Sequence, residues 1–468
     1  MAKPLFRRTA VAALTTALVA ALAACGTSSS DDDPASGGGG DTPDSDAPVT
    51  ISINDLPPTE EPERRQSMLD KIERFEEANP HITIEATEYR WAADTFPAML
   101  AGGTEPTVTA LPFTEVQGLA ARGQAAEISE QLEGAGFLED LNPGLMEVVT
   151  APDGGIYGVP YAAYTAGLIY NRALFEQAGL DPDDPPKTWD DIRAAARTIQ
   201  EKTGVPGLIS MTTENVGGWT LTAMSAAFGG LMEEVDGETA TASFDSEPTK
   251  QALEFLRALR WEDDTMGANF LINWEDSRNE FGAGRAGMMI AGADAYTDLV
   301  ETRGLPPEAF GVAPLPQDDD AVGALSGGSV DLISARATPE QIDAALTWIQ
   351  FNRFAKYYDE QTALDNVDGA AKDGRPVGTI ELPIVSQELY DQYLGWIEEL
   401  INVPRENAEY YLTTIQEIPL VSEPPVKGQE LYAALDPVVQ AVLTREDADI
   451  DALLAEAEDN VNALIQAG

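Results

Sequence analysis

Strands and helices alternate along the chain from residue 49 onward. The stretch 49–53 (VTISI) alternates apolar residues and is typical of a strand, and Met68, Ile72 and Phe75 then recur at helical spacing. A second strand follows at 82–86 (ITIEA), and a second helix ends in LAGGTEP. Strands separated by helices form parallel sheets, so the sequence predicts an α/β fold that binds ligands beyond the carboxyl ends of its strands.

The first 47 residues differ in composition from the rest of the chain. Residues 1–24 combine a basic head with a short apolar run, which is typical of a secretory signal peptide. The LAAC sequence that ends at Cys25, the only cysteine, resembles the lipobox of bacterial lipoproteins. That resemblance implies cleavage before Cys25 and lipidation of its thiol. Residues 25–47 are then a lipidated cysteine and a flexible tether, since almost nothing in them could pack.

These features predict a protein anchored by lipid at the extracytoplasmic face of the bacterial cell membrane. A plain signal peptide with an incidental Cys25 is the alternative. The twin arginines Arg7 and Arg8 leave the export route open between the general secretory and the twin-arginine pathway.

Charge and residue counts disfavour several classes of function. The chain has 80 Asp and Glu against 28 Lys and Arg, a net charge of −52, which makes nucleic acid a poor partner. The single histidine, His81, follows a turn, so a Ser-His-Asp triad or a zinc site built from His and Cys is not expected. With 80 acidic residues, the sequence leaves open a pair of carboxylates that hydrolyses glycosides. The same abundance means that a close pair of acids is weak support for such an enzyme. We expect no cofactor and no metal.

Local signals predict particular helices. Thr188 and Asp191 fit a capping box, so Trp189 is predicted to anchor a helix start. A final amphipathic helix is predicted near 449–466.

Blocks of sequence, in a fixed order, carry a resemblance to a known family. The strongest is residues 153–197, which begin DGGIYGVPYAAYTAGLIYN. RFEEANPHITIE, MLAGGTEPTV and LAARGQAAEI precede it, and FGAGRAGMMIAG, FGVAPLP and GGSVDLISARATPEQIDAALTWIQF follow it. Together they resemble the extracellular solute-binding proteins of ABC importers, in the sugar-binding family that includes maltose-binding protein. The resemblance covers nearly all of the chain after residue 48.

The resemblance implies a two-lobed periplasmic-binding-protein fold of type II. Its lobes close on a ligand by hinge motion. The implied crossings between lobes lie near Tyr164–Gly167, near Phe310 and near Trp348–Phe351. The implied lobes are 48–164 plus 310–350 and 165–309 plus 351–468. The implied activity is binding and not catalysis, by a monomer that delivers a sugar to the transmembrane subunits of an ABC permease.

The resemblance also indicates candidate ligand contacts. Trp219 corresponds to a pocket aromatic, and Tyr164 lies at the first crossing. The remaining candidates are Asn54, Asp55, Phe113, Glu115, Gly328 and Ser329 on loops, and Tyr432 in the C-terminal region. Asp294 stands where many relatives have a pocket tryptophan. This departure indicates either a more polar ligand or that Tyr296 supplies the aromatic contact instead.

The ligand class follows from the chemistry of these positions. Sugars need an aromatic platform and polar groups at the ring edge, where an unpaired buried group costs about 1–3 kcal/mol. Few Lys or Arg lie near the candidates in sequence, which favours a neutral mono- or oligosaccharide over an anion. A cationic solute such as a polyamine is the alternative, given Asp55, Glu115 and Asp294. A surface-anchored glycoside hydrolase is the alternative from another class.

Overall fold

The computed structural model describes residues 47–93, 95–236 and 239–467. Cys25, the predicted signal peptide and all but the last residue of the predicted tether lie outside the described residues.

The described chain alternates strands and helices as the sequence predicts. The strands are β1 (Val49–Ile53), β2 (Ile82–Ala86), β3 (Val108–Pro112), β4 (Val159–Asn171), β5 (Leu208–Ile209), β6 (Glu233–Asp236), β7 (Thr239–Ala242), β8 (Met288–Gly292), β9 (Phe310–Pro314), β10 (Ala324–Ile333) and β11 (Leu420–Ser422). The helices are α1 (Pro62–Ala78), α2 (Phe96–Gly102), α3 (Val116–Ala121), α4 (Ser129–Ala135), α5 (Pro143–Val149), α6 (Arg172–Ala178), α7 (Trp189–Thr203), α8 (Val216–Phe228), α9 (Glu247–Arg257), α10 (Trp274–Gly282), α11 (Pro339–Ile349), α12 (Glu360–Lys372), α13 (Gln387–Trp396), α14 (Glu409–Thr414), α15 (Gly428–Thr444) and α16 (Ile450–Ala467).

One large mixed sheet runs through the molecule in the order β2-β1-β3-β10-β4-β8-β5. β1 lies parallel to β2 and β3, whereas β10 is antiparallel to both β3 and β4. β9 pairs with β4, β11 pairs with β10, and β6 and β7 form a separate pair. The two long strands β4 and β10 therefore join two smaller sheets, each covered by its own helices.

The hydrophobic core divides into clusters that define two lobes. The first cluster holds residues 49–163 and 330–401, which we call lobe 1. The other two clusters hold residues 164–325 and 403–465, which we call lobe 2. Lobe 2 has two clusters because it packs on both faces of its sheet: Leu168 and Tyr170 of β4 enter one and Ile169 the other. Two residues are exceptions: Ile380, in the range of lobe 1, packs in a cluster of lobe 2, and Leu420, in the range of lobe 2, packs against the cluster of lobe 1.

The packing differs from the predicted lobe boundaries at 310 and 350. β9 hydrogen-bonds to the second half of β4, so Phe310 belongs to the sheet of lobe 2 and β10 makes the second crossing. Residues 351–401 pack with lobe 1, where Phe354 lies 5.3 Å from Phe137 between ring centroids. The first change of cluster, between Ala163 and Ala166, falls in the predicted range.

Local signals also have counterparts in the structure. The capping box of Thr188 and Asp191 is present at the start of α7, and Trp189 packs between Phe228 and Phe255. The final helix, α16, is present. Within the part of the chain that the structure describes, no helix is long and apolar enough to cross a membrane.

Candidate functional site

Strained backbone marks the loops that enclose the candidate site. Five described residues other than glycine adopt positive φ, and four of them lie next to β1, α8 or α15: Asp55 after β1, Glu214 and Asn215 before α8, and Lys427 before α15. The fifth is Asp264. Such conformations cost about 1–3 kcal/mol each and persist where surrounding contacts hold them, often at ligand sites. They therefore draw attention to one loop of lobe 1 and two helix starts of lobe 2.

Three aromatic side chains form a group in lobe 2. Trp219 is 7% exposed, its ring centroid lies 6.4 Å from that of Tyr164, and it meets Trp274 edge-on at 6.3 Å. The guanidinium of Arg278 lies 3.9 Å above the Trp274 ring and is paired with Asp298 at 3.0 Å. We call Tyr164, Trp219 and Trp274 the aromatic group.

The helix α8 fixes the position of Trp219. This helix is buried along nearly its whole length and sits directly on α15, because Gly218 brings the two backbones together. A β-carbon at Gly218 would lie only 2.3 Å from the carbonyl oxygen of Tyr432. Asp436 of α15 then accepts hydrogen bonds from the backbone N–H groups of Asn215 (2.8 Å) and Gly218 (2.9 Å). The start of α8 is thus capped by a neighbouring helix.

Asp294 is the accessible carboxylate beside this group. It follows β8 at the carboxyl end of the strand and is exposed to solvent. A side chain at Gly292 would collide with the Asp294 carboxylate and come within 3.3 Å of the Tyr164 ring, so Asp294 and Tyr164 share one space. Surrounding protein raises the pKa of Asp294, and the Arg278 guanidinium opposes that rise.

Glu423 is a buried carboxyl against the same aromatic residues. It is 9% exposed, and its Oε1 accepts a hydrogen bond from the hydroxyl of Tyr432 at 3.3 Å. Burial raises the pKa of Glu423 to about 7, while the hydrogen bond from Tyr432 opposes the rise. Burial and the Glu423 charge in turn hold the pKa of Tyr164 well above its usual range.

The lobe 1 side carries a charged group that spans three segments. The Arg353 guanidinium forms two hydrogen bonds to Asp331 on β10, at 2.7 and 2.8 Å, and lies 3.6 Å above the ring of Tyr161 on β4. Ser329 of β10 lies opposite Ala162, the neighbour of Tyr161 on β4. Burial raises the pKa of Asp55, and the charges of Arg353 and Arg90 counter that effect.

The lobes meet at the turn after β3. Phe113 is buried, and a β-carbon at Gly328 would lie 2.6 Å from its ring, so Gly328 makes room for Phe113. A β-carbon at Gly428, the first residue of α15, would touch the Thr114 side chain at 3.7 Å. Burial raises the pKa of Glu115, the residue after Thr114. The charge of Glu430 raises this pKa further, and the charges of Arg122 and Lys427 lower it. The segment 113–115 of lobe 1 therefore faces the start of α15.

The structure brings some predicted contacts together and places others in the core. Trp219, Tyr164 and Asp294 share one region of lobe 2, while Asp55 and Ser329 lie with the Arg353 group. Phe113, Glu115 and Gly328 lie where the lobes meet. Three predicted contacts lie in the protein interior. Asn54 exchanges two hydrogen bonds with the Ala110 backbone. Tyr432 is 2% exposed, and Tyr296 is 2% exposed and packs edge-on against Phe310. The structure therefore gives no support to the aromatic role considered for Tyr296.

Sequence reasoning missed several residues of this region. Trp274, Arg278, Tyr161, Arg353 and Glu423 were not among the candidates, and the expectation that few cations lie nearby was wrong for Arg353 and Arg278. Glu423 carried a weak signal, since it precedes a Pro-Pro pair just before a helix. Across residues 47–93, 95–236 and 239–467, no cluster of His, Cys, Asp and Glu suits a metal ion.

Two lobes joined by long shared strands, with aromatic and carboxylate side chains where they meet, define a protein of the two-lobed periplasmic binding class. The family model for bacterial extracellular solute-binding proteins matches residues 59–356, and the chain belongs to that family.

Relatives of known sequence and structure agree with this assignment. The chain is 34% identical over 110 residues to the sn-glycerol-3-phosphate-binding periplasmic protein of Rhizobium meliloti (strain 1021), a match that covers 22% of this chain and 26% of the relative. The matched stretch thus spans only about a quarter of that relative.

Two solved structures show the same fold over nearly the whole chain. The cyclic alpha-maltosyl-1,6-maltose binding protein from Arthrobacter globiformis superposes with a TM-score of 0.68 at 21% identity, covering 90% of this chain and 100% of that one. UgpB from Mycobacterium tuberculosis, in complex with glycerophosphocholine, gives 0.67 at 19% identity, covering 90% and 98%.

Proposed function

We propose that this protein is the substrate-binding component of an ABC importer and that it captures a neutral mono- or oligosaccharide between its lobes. The observation that carries the proposal is the aromatic group beside the accessible carboxylate of Asp294. An indole face suits the C–H face of a sugar ring, and a carboxylate accepts hydrogen bonds from its hydroxyls. The solved relative that binds a maltosyl ligand adds support.

The charge pattern supports a neutral ligand over an anion. The two guanidinium groups that lie over aromatic rings of the site are already engaged, Arg353 by Asp331 through two hydrogen bonds and Arg278 by Asp298. An anion would have to compete with these carboxylates for the same donors.

A cationic solute is the second candidate. The surrounding protein raises the pKa of Asp55 and Glu115, which are half-buried, and of Asp294, which stays accessible to solvent. Nearby cations therefore do not fully offset the water that these carboxylates have lost. A cation such as a polyamine would supply that compensation. The sn-glycerol-3-phosphate-binding relative makes glycerol phosphates a third class to include in any screen.

A thermal-shift screen tests the proposal. Residues 48–468 would be heated with mono-, di- and oligosaccharides, polyamines, sn-glycerol 3-phosphate and glycerophosphocholine, since a ligand of the native state raises Tm. We expect a shift with one class of saccharide and no product after long incubation. A shift with polyamines or glycerol phosphates alone would contradict the saccharide, and consumption of the ligand would indicate an enzyme.

We further propose that a lipid on Cys25 anchors the protein at the extracytoplasmic face of the cell membrane, next to its permease. The support is the lipobox-like sequence that ends at Cys25. Cys25→Ala should move the protein from the membrane fraction to the soluble fraction, while Thr27→Ala, two residues away, should not. Membrane association of Cys25→Ala equal to that of the natural chain would contradict the anchor.

A further inference from the structure

A pocket of about 630 Å³ lies on lobe 2, away from the aromatic group. Its walls come from the end of β4 and the start of α6, from the loop at 183–185, and from residues 406–413 around the start of α14. Tyr170, which lines it, stands six residues beyond Tyr164 on β4, roughly 20 Å along a strand that rises about 3.3 Å per residue. The volume is in the range of about 300–1,000 Å³ that small-molecule sites occupy.

The carbonyl oxygen of Pro182 holds the wall on the β4 side. That oxygen accepts hydrogen bonds from the Tyr170 hydroxyl at 2.8 Å and from Nη1 of Arg172 at 2.7 Å. The other terminal nitrogen of Arg172 donates to Asp183 at 2.6 Å. Arg172 is the one cation among the described residues that line the pocket, and its charge is already paired.

The wall on the α14 side is anchored in the interior of lobe 2. The buried hydroxyl of Tyr411 lies 2.6 Å from that of Thr165 on β4. The preceding residue, Tyr410, is half-buried and lines the pocket. The ammonium of Lys187 lies 5.4 Å from the centroid of the Tyr410 ring, which is the arrangement in which a tyrosine ring attracts a cation. The ring of this wall thus already contacts one ammonium group.

Two carboxylates leave the pocket with negative charge that no neighbour compensates. Glu406 and Glu409 line the pocket and are exposed, and neither forms an ion pair with any residue that the structure describes. In the described ranges, no cluster of His, Cys, Asp and Glu suits a metal ion, which leaves an organic cation as the better match for these carboxylates.

Asn407, between these two residues, gives the pocket a polar group that is nine-tenths buried. It is 9% exposed, and its Nδ2 donates a long hydrogen bond of 3.4 Å to the carbonyl oxygen of Glu308. Its amide oxygen has no hydrogen-bond partner among the described residues and is not sealed from solvent. Because Asn407 lines the pocket, this oxygen is presented there as a free acceptor.

We propose that this pocket is a second binding site, for an organic polycation of the polyamine class. Its ammonium groups pair with the carboxylates of Glu406 and Glu409, and one of them donates to the amide oxygen of Asn407. An ammonium has only donors, which matches a pocket whose free polar groups are acceptors. The site does not depend on what binds between the lobes, because it lies at the far end of β4 from the crossing.

Spermidine is the probe for this site. Its Kd would be measured by calorimetric titration of the purified protein at about 0.15 M salt, where charges farther apart than about 8 Å are largely screened. The Kd should rise about tenfold in the double variant Glu406→Gln with Glu409→Gln, because two exposed ion pairs are lost. The matched control is Glu398→Gln with Glu399→Gln, which removes the same charge from another exposed pair and should leave the Kd unchanged.

Asp294→Asn distinguishes this pocket from the region between the lobes. We expect unchanged spermidine affinity in Asp294→Asn. A loss in that variant alone would place the polycation between the lobes and overturn the proposal. Equal losses in the two double variants would show a response to net charge only, and would also overturn it, as would a natural protein that binds no spermidine. Near-ultraviolet circular dichroism would verify that each variant is folded.

Discussion

The carboxylate of Asp331 and the guanidinium of Arg353 form a fork of two hydrogen bonds, 2.7 and 2.8 Å long, inside lobe 1. The Asp331 side chain is only 4% exposed, and that of Arg353 is 24% exposed. The pair ties β10, which crosses between the lobes, to the segment after α11. It thus fixes this crossing strand to the body of lobe 1.

Breaking this fork should destabilise the protein strongly. Asp331→Asn leaves the largely buried Arg353 charge without its ionic partner, so the free energy of unfolding should fall by up to about 3–5 kcal/mol. Urea denaturation would measure it. The control is Asp368→Asn, which breaks an exposed pair with Lys372 and should cost about 1 kcal/mol or less. Equal losses in the two variants would contradict the role given to the fork.

Trp219→Ala should weaken ligand binding well over tenfold while the fold persists. In the proposed site the indole supplies the stacking surface, and alanine removes it without adding charge or bulk. Trp189→Ala is the matched control, because Trp189 packs in the lobe 2 core against Phe228 and Phe255. Calorimetric titration with the ligand found by the screen should show weaker binding only for Trp219→Ala, whereas both variants lose packed aromatic surface and should have a lower Tm. Unchanged affinity in Trp219→Ala would remove that residue from the site.

Gly218→Ala should destabilise the protein although alanine favours helices. The new methyl group would meet the backbone of Tyr432 at 2.3 Å and push α8 away from α15. Gly369→Ala in α12 meets nothing within 4 Å and should raise stability by about 1 kcal/mol through helix propensity alone. Thermal unfolding of both variants would show opposite signs. A stabilised Gly218→Ala would mean that the two helices pack less closely than described.

Two buried carboxyls should make stability depend on pH. Burial raises the pKa of Glu423 and of Glu233 to about 7 in the folded state, against an ordinary value of 4.5. Below pH 4.5 both states hold the proton and neither residue costs stability. From pH 4.5 to 7 only the unfolded chain releases it, so stability falls as the pH rises, by up to about 3 kcal/mol per group, and then levels off.

Glu423→Gln removes one of these titrations and is the test. The variant should gain up to about 3 kcal/mol over the natural protein at pH 8 and much less at pH 5. Unfolding free energies measured at both pH values would show it. A gain of the same size at pH 5 and pH 8 would show that Glu423 does not carry the proton.

Local signals in the sequence were enough for the class and for many elements. The alternation in 49–53 is β1, and Thr188 with Asp191 caps α7, since each pattern involves neighbours along the chain. The order of strands and helices predicted an α/β fold, which the structure confirms. The family resemblance, carried by ordered blocks of sequence, is confirmed by the family match.

Only the tertiary structure decided which side chains meet. Asn54 and Asp55 are adjacent in sequence, yet one is bound to the Ala110 backbone while the other lies in the field of Arg353, almost 300 residues away along the chain. Glu423 is one of 80 acidic residues, and only the packing of α8 and α15 buries it. Local pattern fixes the elements because their hydrogen bonds and periodicity are local. The site depends on contacts between distant segments, and those exist only once the two lobes have packed.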